Sequence, residues 1–268
     1  MDCTGPIKDG LYFARQDTTN YKTMNQPTNH LKYIFASLIA VLLQACYVDL
    51  DNDGYPCEPG RGSRITEYRA LPEFYQVTNA IGANIILRQD ADQEFRITAH
   101  ENLIDDITTK VVNGALIIDH RGCYKDSNIE IYIATPQIEA VHNIGSGDII
   151  GDNTWQAEQM DLRITGSGKI DAEVNAQSLY AEITGSGLME LFGAVDQSRL
   201  KISGSGDVLA FNLDSNIQEI TISGSGNCEV LTHDLLDVRI SGSGDVYYKG
   251  YPQINSSISG SGGVYDAN

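Results

Sequence analysis

The stretch "LKISGSGDVLAFN" (residues 200–212) contains the motif that decides the fold, a Gly-Ser-Gly triplet between alternating apolar residues. The triplet occurs seven times in the chain, beginning at positions 145, 166, 185, 204, 224, 242 and 260. A repeat of about 20 residues without helical periodicity is typical of a β-solenoid, in which each repeat forms one coil. We therefore predict an all-β fold, a single-stranded parallel β-helix or β-solenoid with coils of about 20 residues.

The period of two within the repeat assigns its two faces. The residues of one coil that share the apolar face are Leu200, Ile202, Gly204, Gly206 and Val208. Both glycines of the triplet therefore point inward, and the serine between them points outward. Inward glycines let a coil bend tightly or let two backbones approach closely, so we interpret the triplet as a structural device and not as a catalytic site.

The same register predicts two external rows of hydroxyl groups. The rows consist of Ser167, Ser186, Ser205, Ser225, Ser243 and Ser261 beside Thr165, Thr184, Ser203, Ser223, Ser241 and Ser259. Such a strip suits hydrogen bonding to sugars, but Ser and Thr also satisfy local backbone groups at exposed turns. We favour the structural interpretation of these rows.

The position after each triplet raises the question of a metal site. Asp207, Asn227 and Asp245 occupy it in three consecutive coils and could offer oxygen ligands to Ca²⁺. Lys169 and Leu188 occupy it in earlier coils and interrupt the series. We predict no metal site and no cofactor.

The N-terminal part of the chain carries a targeting signal. Residues 33–43 form an apolar run of 11 residues behind Lys32, too short to span a bilayer and suited to the core of a signal peptide. In the sequence "LLQAC" that ends it, Leu43, Ala45 and Cys46 resemble the bacterial lipobox, in which cleavage precedes a cysteine that receives lipid. We predict lipidation at Cys46; the alternative is an ordinary signal peptide followed by a chance cysteine.

The position of this signal divides the N-terminal region. Met24 begins a compact segment before the apolar run, so we expect residues 1–23 to be a misassigned extension and residues 24–45 to be the lipoprotein signal peptide. Tyr47, and not Asp, follows Cys46, which by resemblance to proteobacterial sorting favours the outer membrane over inner-membrane retention. We predict an outer-membrane lipoprotein, periplasmic or surface-exposed, held to the membrane by its lipid anchor.

Residues 46–70 are rich in Asp, Gly and Pro and lack an apolar period, so we predict an acidic, flexible tether. Within it, Asp49, Asp51 and Asp53 match the first half of a calcium-binding loop. Gly60 stands where the closing acid is needed, and a solvated acidic linker is therefore the favoured interpretation.

Charge and cysteine content restrict the partners and the compartment. The formal net charge is -18, so the surface repels phosphate backbones and we predict no nucleic-acid partner. Apart from the two cysteines at the N-terminus and the lipid site, Cys57, Cys123 and Cys228 remain, which in an oxidising compartment permits one bridge and one spare thiol. We predict a bridge between Cys57 and Cys123 and a buried, inert thiol at Cys228.

Residues 71–140 also have β character. The dipeptide Asn113-Gly114 between two apolar stretches predicts a hairpin. The segment "NIEIYIA" (residues 128–134) alternates strictly and places its isoleucines on one face.

The combination of these segments resembles a known family. The copies of "ITGSG" and "ISGSG", the segments "VVNGALIIDH" and "IEIYIATPQIEAVHNIGSGDI", and the closing "GSGDVYYKGYPQINSSISGSGGV" are similar to the head GIN domain family, autotransporter adhesins of bacterial cell envelopes. The resemblance covers about residues 72–266. It implies a β-helix-like head domain over 71–268, with GSG repeats over 145–262, behind a lipoprotein or secretion signal, and it brings no catalytic or binding residues with it.

Three functions follow from these observations. We prefer a cell-envelope lipoprotein that acts as a non-catalytic binding module of the adhesin type, for a glycan or a partner protein. The alternatives are a purely structural envelope scaffold and a carbohydrate-active β-helix enzyme. We predict no catalytic residues, because the outward Lys201 and Arg239 are typical of charge balance on an acidic face and the histidines share no spacing.

The tyrosines and the acids separate these hypotheses. Tyr247, Tyr251 or Tyr265 exposed together with acids in a groove favours a glycan binder, and scattered or buried tyrosines favour a scaffold. An enzyme requires a cleft with two carboxylates, or with an acid and a base within reach of each other.

Overall fold

The computed structural model describes residues 57–125 and 128–268, which form strands, turns and loops and contain no helix. The strands of the first part are β1 Glu58–Pro59, β2 Arg64–Tyr68, β3 Gln76–Asn79, β4 Asn84–Gln89, β5 Glu94–His100, β6 Ile107–Val112, β7 Ala115–His120, β8 Tyr124–Lys125 and β9 Glu130–Thr135. The strands of the second part are β10 Ala140–Gly145, β11 Asp148–Gly151, β12 Trp155–Gly166, β13 Lys169–Gly185, β14 Leu188–Gly204, β15 Asp207–Gly224, β16 Cys228–Gly242, β17 Val246–Lys249, β18 Gln253–Gly260 and β19 Val264–Asp266.

The second part, from β10 to β19, is a stack of coils, which we call the GSG stack. Its strands pair in parallel with the strand one coil further along, from β10–β12 and β12–β13 through β15–β16 to β16–β18. The first glycines of the triplets, from Gly145 to Gly260, are paired in one continuous register. The predicted parallel β-solenoid is confirmed.

The two glycines of a triplet meet two different requirements. Gly204 has a φ of 125°, a backbone conformation that residues with a side chain rarely adopt. A Cβ on Gly206 would collide with the carbonyl oxygen of Gly187 in the preceding coil and with Cγ2 of Ile183. The first glycine therefore turns the chain, and the second permits the close approach of adjacent coils, as the sequence predicted.

The interior of the stack is apolar, as the alternation predicted. Leu200, Ile202, Val208 and Ala210 are fully buried, and their equivalents in neighbouring coils continue the same columns. Cys228 stands between Val208 and Val246 in one of these columns and is a buried free cysteine. Burial raises the pKa of its thiol far above the usual range, which accords with the predicted inert thiol.

The first part, residues 57–125 and 128–135, forms a cap in which the order of the strands in space differs from their order along the chain. Strands β3 and β4 pair in parallel with β10 and β11 on one side and with β7 and β9 on the other. Antiparallel pairs β2–β5, β5–β9 and β6–β7 complete the cap. The predicted hairpin is confirmed, because Asn113 and Gly114 link β6 to β7 with φ values of 52° and 76°.

A disulfide joins Cys57 to Cys123 and confirms the predicted bridge. Close to it, β1 pairs with β8, and β2 pairs antiparallel with β5. Residues 57–68 therefore belong to the cap, and the flexible tether predicted over 46–70 is wrong for this portion. The side chains of β2 are largely exposed, so backbone pairing holds a strand that shows no apolar period.

Several predictions concern residues outside those described. They are the extension at 1–23, the signal peptide at 24–45, the lipid site at Cys46 and the acidic series from Asp49 to Asp53. In the described part of the chain we find no helix with the length and hydropathy needed to cross a bilayer.

Two buried asparagines mark the boundary between the cap and the GSG stack. Asn79 of β3 and Asn143 of β10 are fully buried and paired in register. The Asn79 amide donates to the Asn143 Oδ1 at 3.1 Å and to the Ala83 carbonyl at 3.0 Å, and the Asn143 amide donates to the Gly147 carbonyl at 2.5 Å. Each amide thus closes, from the inside, the turn that follows its own strand.

Candidate functional site

A groove with a volume of about 1000 Å³ lies on the outer wall, between the residues that lead into β10, the first half of β12 and the central portions of β13, β14 and β15. Its base consists of the buried residues Ile138, Met160, Leu179 and Ser198. Exposed polar side chains line its sides: Gln137, Glu139, Glu158, Gln159, Gln197 and Arg199. We call it the amide groove, because glutamines recur along it.

The parallel register produces this recurrence. Gln159 pairs with Ser178, and Ser178 pairs with Gln197, so the two glutamines lie two coils apart. At the usual strand spacing this separation is about 9–10 Å along the solenoid axis. Among the residues described, the side-chain amides of Gln137, Gln159 and Gln197 have no protein hydrogen-bond partner. These amides are therefore available to a ligand.

The groove contains one close contact between an acid and a histidine. Arg163 donates two hydrogen bonds to the Asp161 carboxylate, both at 2.7 Å, and the His142 Nε2 lies 3.6 Å from the Asp161 Oδ1. Burial raises the pKa of Asp161, but His142 and Arg163 outweigh that effect and lower the pKa to about 2. Asp161 is therefore ionised at neutral pH and cannot act as a general acid.

On the other side of this contact, the Nε2 of His142 is enclosed. This nitrogen is buried and has no hydrogen-bond partner within the described residues. A general base must come within hydrogen-bonding distance of the proton that it removes. A ligand in the amide groove does not meet that nitrogen in this geometry.

The outward bases form ion pairs in and beside the groove. The Lys201 ammonium contacts Glu182 at 2.6 Å, and the Glu219 carboxylate contacts Arg199 at 2.7 Å and Arg239 at 2.8 Å. The hydrogen bond from Lys201 is the largest influence on the pKa of Glu182 and lowers it. These bases are held by carboxylates in adjacent coils.

The tyrosines show a mixed outcome. Tyr247 and Tyr265 stack with ring centroids 5.4 Å apart, and Tyr251 is 89% exposed. All three lie outside the amide groove, where Tyr180 is the tyrosine in the lining. Tyr248 faces inward and packs against the core, as expected. These tyrosines are exposed, but they do not lie in the groove with its acids, which is the arrangement that favours a glycan binder.

The position after the triplet has a structural role that the sequence analysis did not identify. The Asp207 Oδ1 accepts the backbone N–H of Asn227 at 2.7 Å, and the Asn227 Oδ1 accepts that of Asp245 at 3.1 Å. Asp245 in turn accepts the N–H of Gly263 at 2.8 Å. These side chains therefore link each coil to the next by hydrogen bonds. No group of three or more His, Cys, Asp or Glu residues in the described ranges is arranged to hold a metal ion.

The hydroxyl rows follow the predicted register. Ser203, Ser223 and Ser241 pair in consecutive coils, and the triplet serines are bound through their backbones. The N–H of Ser205, for example, donates to the Gly185 carbonyl one coil earlier at 2.8 Å. None of these residues lines the amide groove, which leaves the structural interpretation of the rows in place.

Comparison with known protein families identifies the family to which this fold belongs. Residues 73–252, more than half of the chain, match the family described as "Putative auto-transporter adhesin, head GIN domain". The chain belongs to the head GIN domain family. The family is adhesin-like, and its description names no enzymatic activity. No curated protein matches the chain.

Solved structures support the head GIN fold. A protein from Bacteroides fragilis described as "a putative adhesin" is similar with a TM-score of 0.74 and 23% identity, over 78% of this chain and 99% of that chain. A Parabacteroides distasonis protein described as a "Putative lipid binding protein" is similar with a TM-score of 0.68 and 24% identity, over 78% and 99%. A third structure, from Parabacteroides merdae and also described as "a putative adhesin", has a TM-score of 0.64, with 18% identity over 78% and 98%.

Sequence reasoning missed the amide groove. The signal that could have indicated it is the recurrence of glutamine along the chain, at Gln137, Gln159 and Gln197. The intervals are unequal and the intervening residues differ, so this pattern is recognisable only after the coils have been placed in register.

Proposed function

We propose that this head GIN protein is an envelope lipoprotein, anchored through Cys46 in the outer membrane, that binds a neutral glycan in the amide groove without catalysing a reaction. The observation that carries this proposal is the set of exposed groove amides without protein partners, Gln137, Gln159 and Gln197. The adhesin-like character of the family supports a binding role at the cell envelope.

The chemistry of the groove suits a sugar. A side-chain amide both donates and accepts hydrogen bonds, as does a sugar hydroxyl, so each can satisfy the other. At the base of the groove, the buried Ser198 Oγ has no hydrogen-bond partner within the described chain. A ligand hydroxyl or a water molecule that reaches Ser198 would satisfy this group.

The charge of the groove favours a neutral ligand over an anionic one. Glu139 and Glu158 are exposed at its sides and have no counter-ion within the described residues. Arg199, the exposed base of the lining, is already paired with Glu219 at 2.7 Å. A polysaccharide rich in uronic acids would therefore be repelled, especially by a chain with a net charge of -18.

The scaffold hypothesis is the second candidate, favoured by the position of the stacked tyrosines. Tyr247 and Tyr265 lie outside the groove, where a sugar ring held by the amides would not contact them. The enzyme hypothesis is a third candidate: the groove holds two exposed carboxylates, Glu139 and Glu158, whereas the Nε2 of His142 beside Asp161 is enclosed.

Binding of the full chain to a glycan array, followed by calorimetry with the best neutral oligosaccharide, tests the proposal. The double substitution Gln159→Ala and Gln197→Ala removes two groove amides, and we expect it to weaken binding by about tenfold or more, since each lost hydrogen bond contributes about 1 kcal/mol. Asn212→Ala is the matched control, because Asn212 is an exposed amide outside the groove.

Two results would contradict this proposal. Equal affinity of the double variant and the parent would remove the groove as the site. No binding to any glycan, together with capture of a specific envelope protein, would favour the partner-protein alternative, and no binding to either would favour the scaffold. Mass spectrometry of the membrane fraction tests the anchor separately, because an unmodified Cys46 in a soluble protein would refute lipidation.

A further inference from the structure

The last coil of the GSG stack has strand partners on one side only. Within the described residues β18 pairs with β16, and β19 pairs with β17. All eight residues of β18 are exposed. The other end of the solenoid differs, because the antiparallel strands of the cap surround it.

The apolar core is open at this coil. Ile254 and Ile258 occupy the inward positions of β18 and are 38% and 42% exposed. Their partners one coil earlier, Leu236 and Ile240, are 0% and 3% exposed. The inner side of β18 therefore continues an apolar column that nothing in the described chain covers.

This edge lacks the usual protection against strand pairing. Exposed edge strands commonly carry charged side chains that prevent association. Residues 252–265 contain no Asp, Glu, Lys or Arg, although the chain as a whole has a net charge of -18. Two copies would repel each other across most of their surface, but the edge of β18 lets their backbones approach without opposed charges.

We propose that β18 pairs with β18 of a second copy of this chain in an antiparallel, two-fold dimer. With the axis at Ser256, Ile254 of one copy lies opposite Ile258 of the other, and both residues are on the inner face. The two open cores then cover each other. Because the remote end of each solenoid is capped, this contact closes after two copies and does not propagate into a fibre.

Sedimentation velocity of the full chain in a mild detergent, over a range of protein concentrations, tests this proposal. We expect a monomer–dimer equilibrium in the parent and, in Ile258→Lys, a dissociation constant raised at least about 100-fold, because the lysine places a charge in the joined cores. Ile150→Lys is the matched control, since Ile150 is 45% exposed on the side wall and lies far from the edge in register. A monomeric parent at the highest concentration, or equal dissociation in both variants, would overturn the proposal.

Cysteine cross-linking tests the geometry independently of affinity. A Ser256→Cys variant places two thiols at the two-fold axis, so mild oxidation is expected to yield a covalent dimer above the level of the parent. Ser205→Cys, on the exposed side wall, serves as the control and is expected to remain at the level of the parent. Equal cross-linking of the two variants would contradict antiparallel pairing about Ser256. Neither experiment depends on the amide groove, so their outcome is separate from that of the glycan test.

Discussion

The GSG stack and the cap are built by opposite rules. In the stack each long strand pairs with the strand one coil further along, so neighbours in space are neighbours in sequence. In the cap, β3 lies between β7 and β10, and a disulfide joins residues 66 positions apart. A repeated sequence specifies its own neighbours, whereas the part that ends the repeat needs long-range pairings and a covalent bond.

The largest expected effect comes from breaking the contact between coils. In Gly206→Val the side chain would collide with Ile183 and with the backbone of Gly187, and the rigid stack has no room to relax. We expect a loss of about 4 kcal/mol or more in the free energy of unfolding, or failure to fold. Ser205→Ala alters the exposed middle residue of the same triplet and is expected to change the free energy of unfolding by less than about 0.5 kcal/mol. Urea denaturation measures the free energy of unfolding of both variants. A Gly206→Val variant as stable as Ser205→Ala would contradict this prediction, because it would show that the coils can rearrange around the added side chain.

A smaller effect, confined to the cap, is expected from removal of the disulfide. Replacing Cys57 and Cys123 by Ser should destabilise the protein by about 2–5 kcal/mol, because the bridge restricts the unfolded chain. Hydrogen exchange should accelerate in β2 and β5 and change little in β13–β15, if the cap opens as a separate unit. Cys228→Val, which nearly conserves volume in the stack, is the control, with an expected cost below about 1.5 kcal/mol. Uniform acceleration in both regions would show that cap and stack unfold as one.

The smallest effect concerns Asp161, in the first long strand after the cap. Its pKa is lowered from 3.8 to about 2 in the folded state, so the ionised carboxylate favours folding above about pH 4, and this contribution is lost as the pH falls toward 2. Because the side chain is partly exposed, we expect Asp161→Asn to cost only about 1 kcal/mol at pH 7. The difference from the parent should shrink between pH 4 and pH 2 in acid-unfolding curves. Asp196→Asn, an exposed acid, is the control, and a difference for Asp161→Asn that does not depend on pH would refute this assignment.

The stack could be predicted from sequence because its signals are local and repeated. Alternation assigned the buried column through Leu200 and Ile202, and the inward glycines indicated close approach of the coils. The burial of Cys228 followed from the same register. Each of these inferences required only a comparison of positions about 20 residues apart.

The cap could not be predicted in the same way. The segment "TNAIGAN" (residues 78–84) turns between β3 and β4 where later coils have a triplet, but it has no Gly-Ser-Gly. Strand β2 has exposed side chains, and its partner β5 is identified by backbone pairing alone. Neither feature leaves a pattern in one sequence, so the sequence alone predicts residues 57–68 as part of the tether.

The amide groove could not be predicted from the sequence, for a different reason. Outward positions of a solenoid are under no packing constraint, so their side chains vary from coil to coil. Gln159 and Gln197 are brought into line by pairing through Ser178, which is a property of the folded stack.

In a stack of similar coils, the pairing register between coils is poorly specified by the repeats themselves, and the buried asparagines favour one register. Triplets look alike, so a strand displaced by one whole coil would still match glycine to glycine and apolar residue to apolar residue. Asn79 and Asn143 remove this degeneracy, since the column continues with Ile164 and an isoleucine cannot accept a hydrogen bond from a buried amide. A displaced β10 would leave the Asn143 Oδ1 in the core without its donor, at a cost of about 1–3 kcal/mol. The hydrogen bond between the two asparagines thus favours one register of β10 against β3.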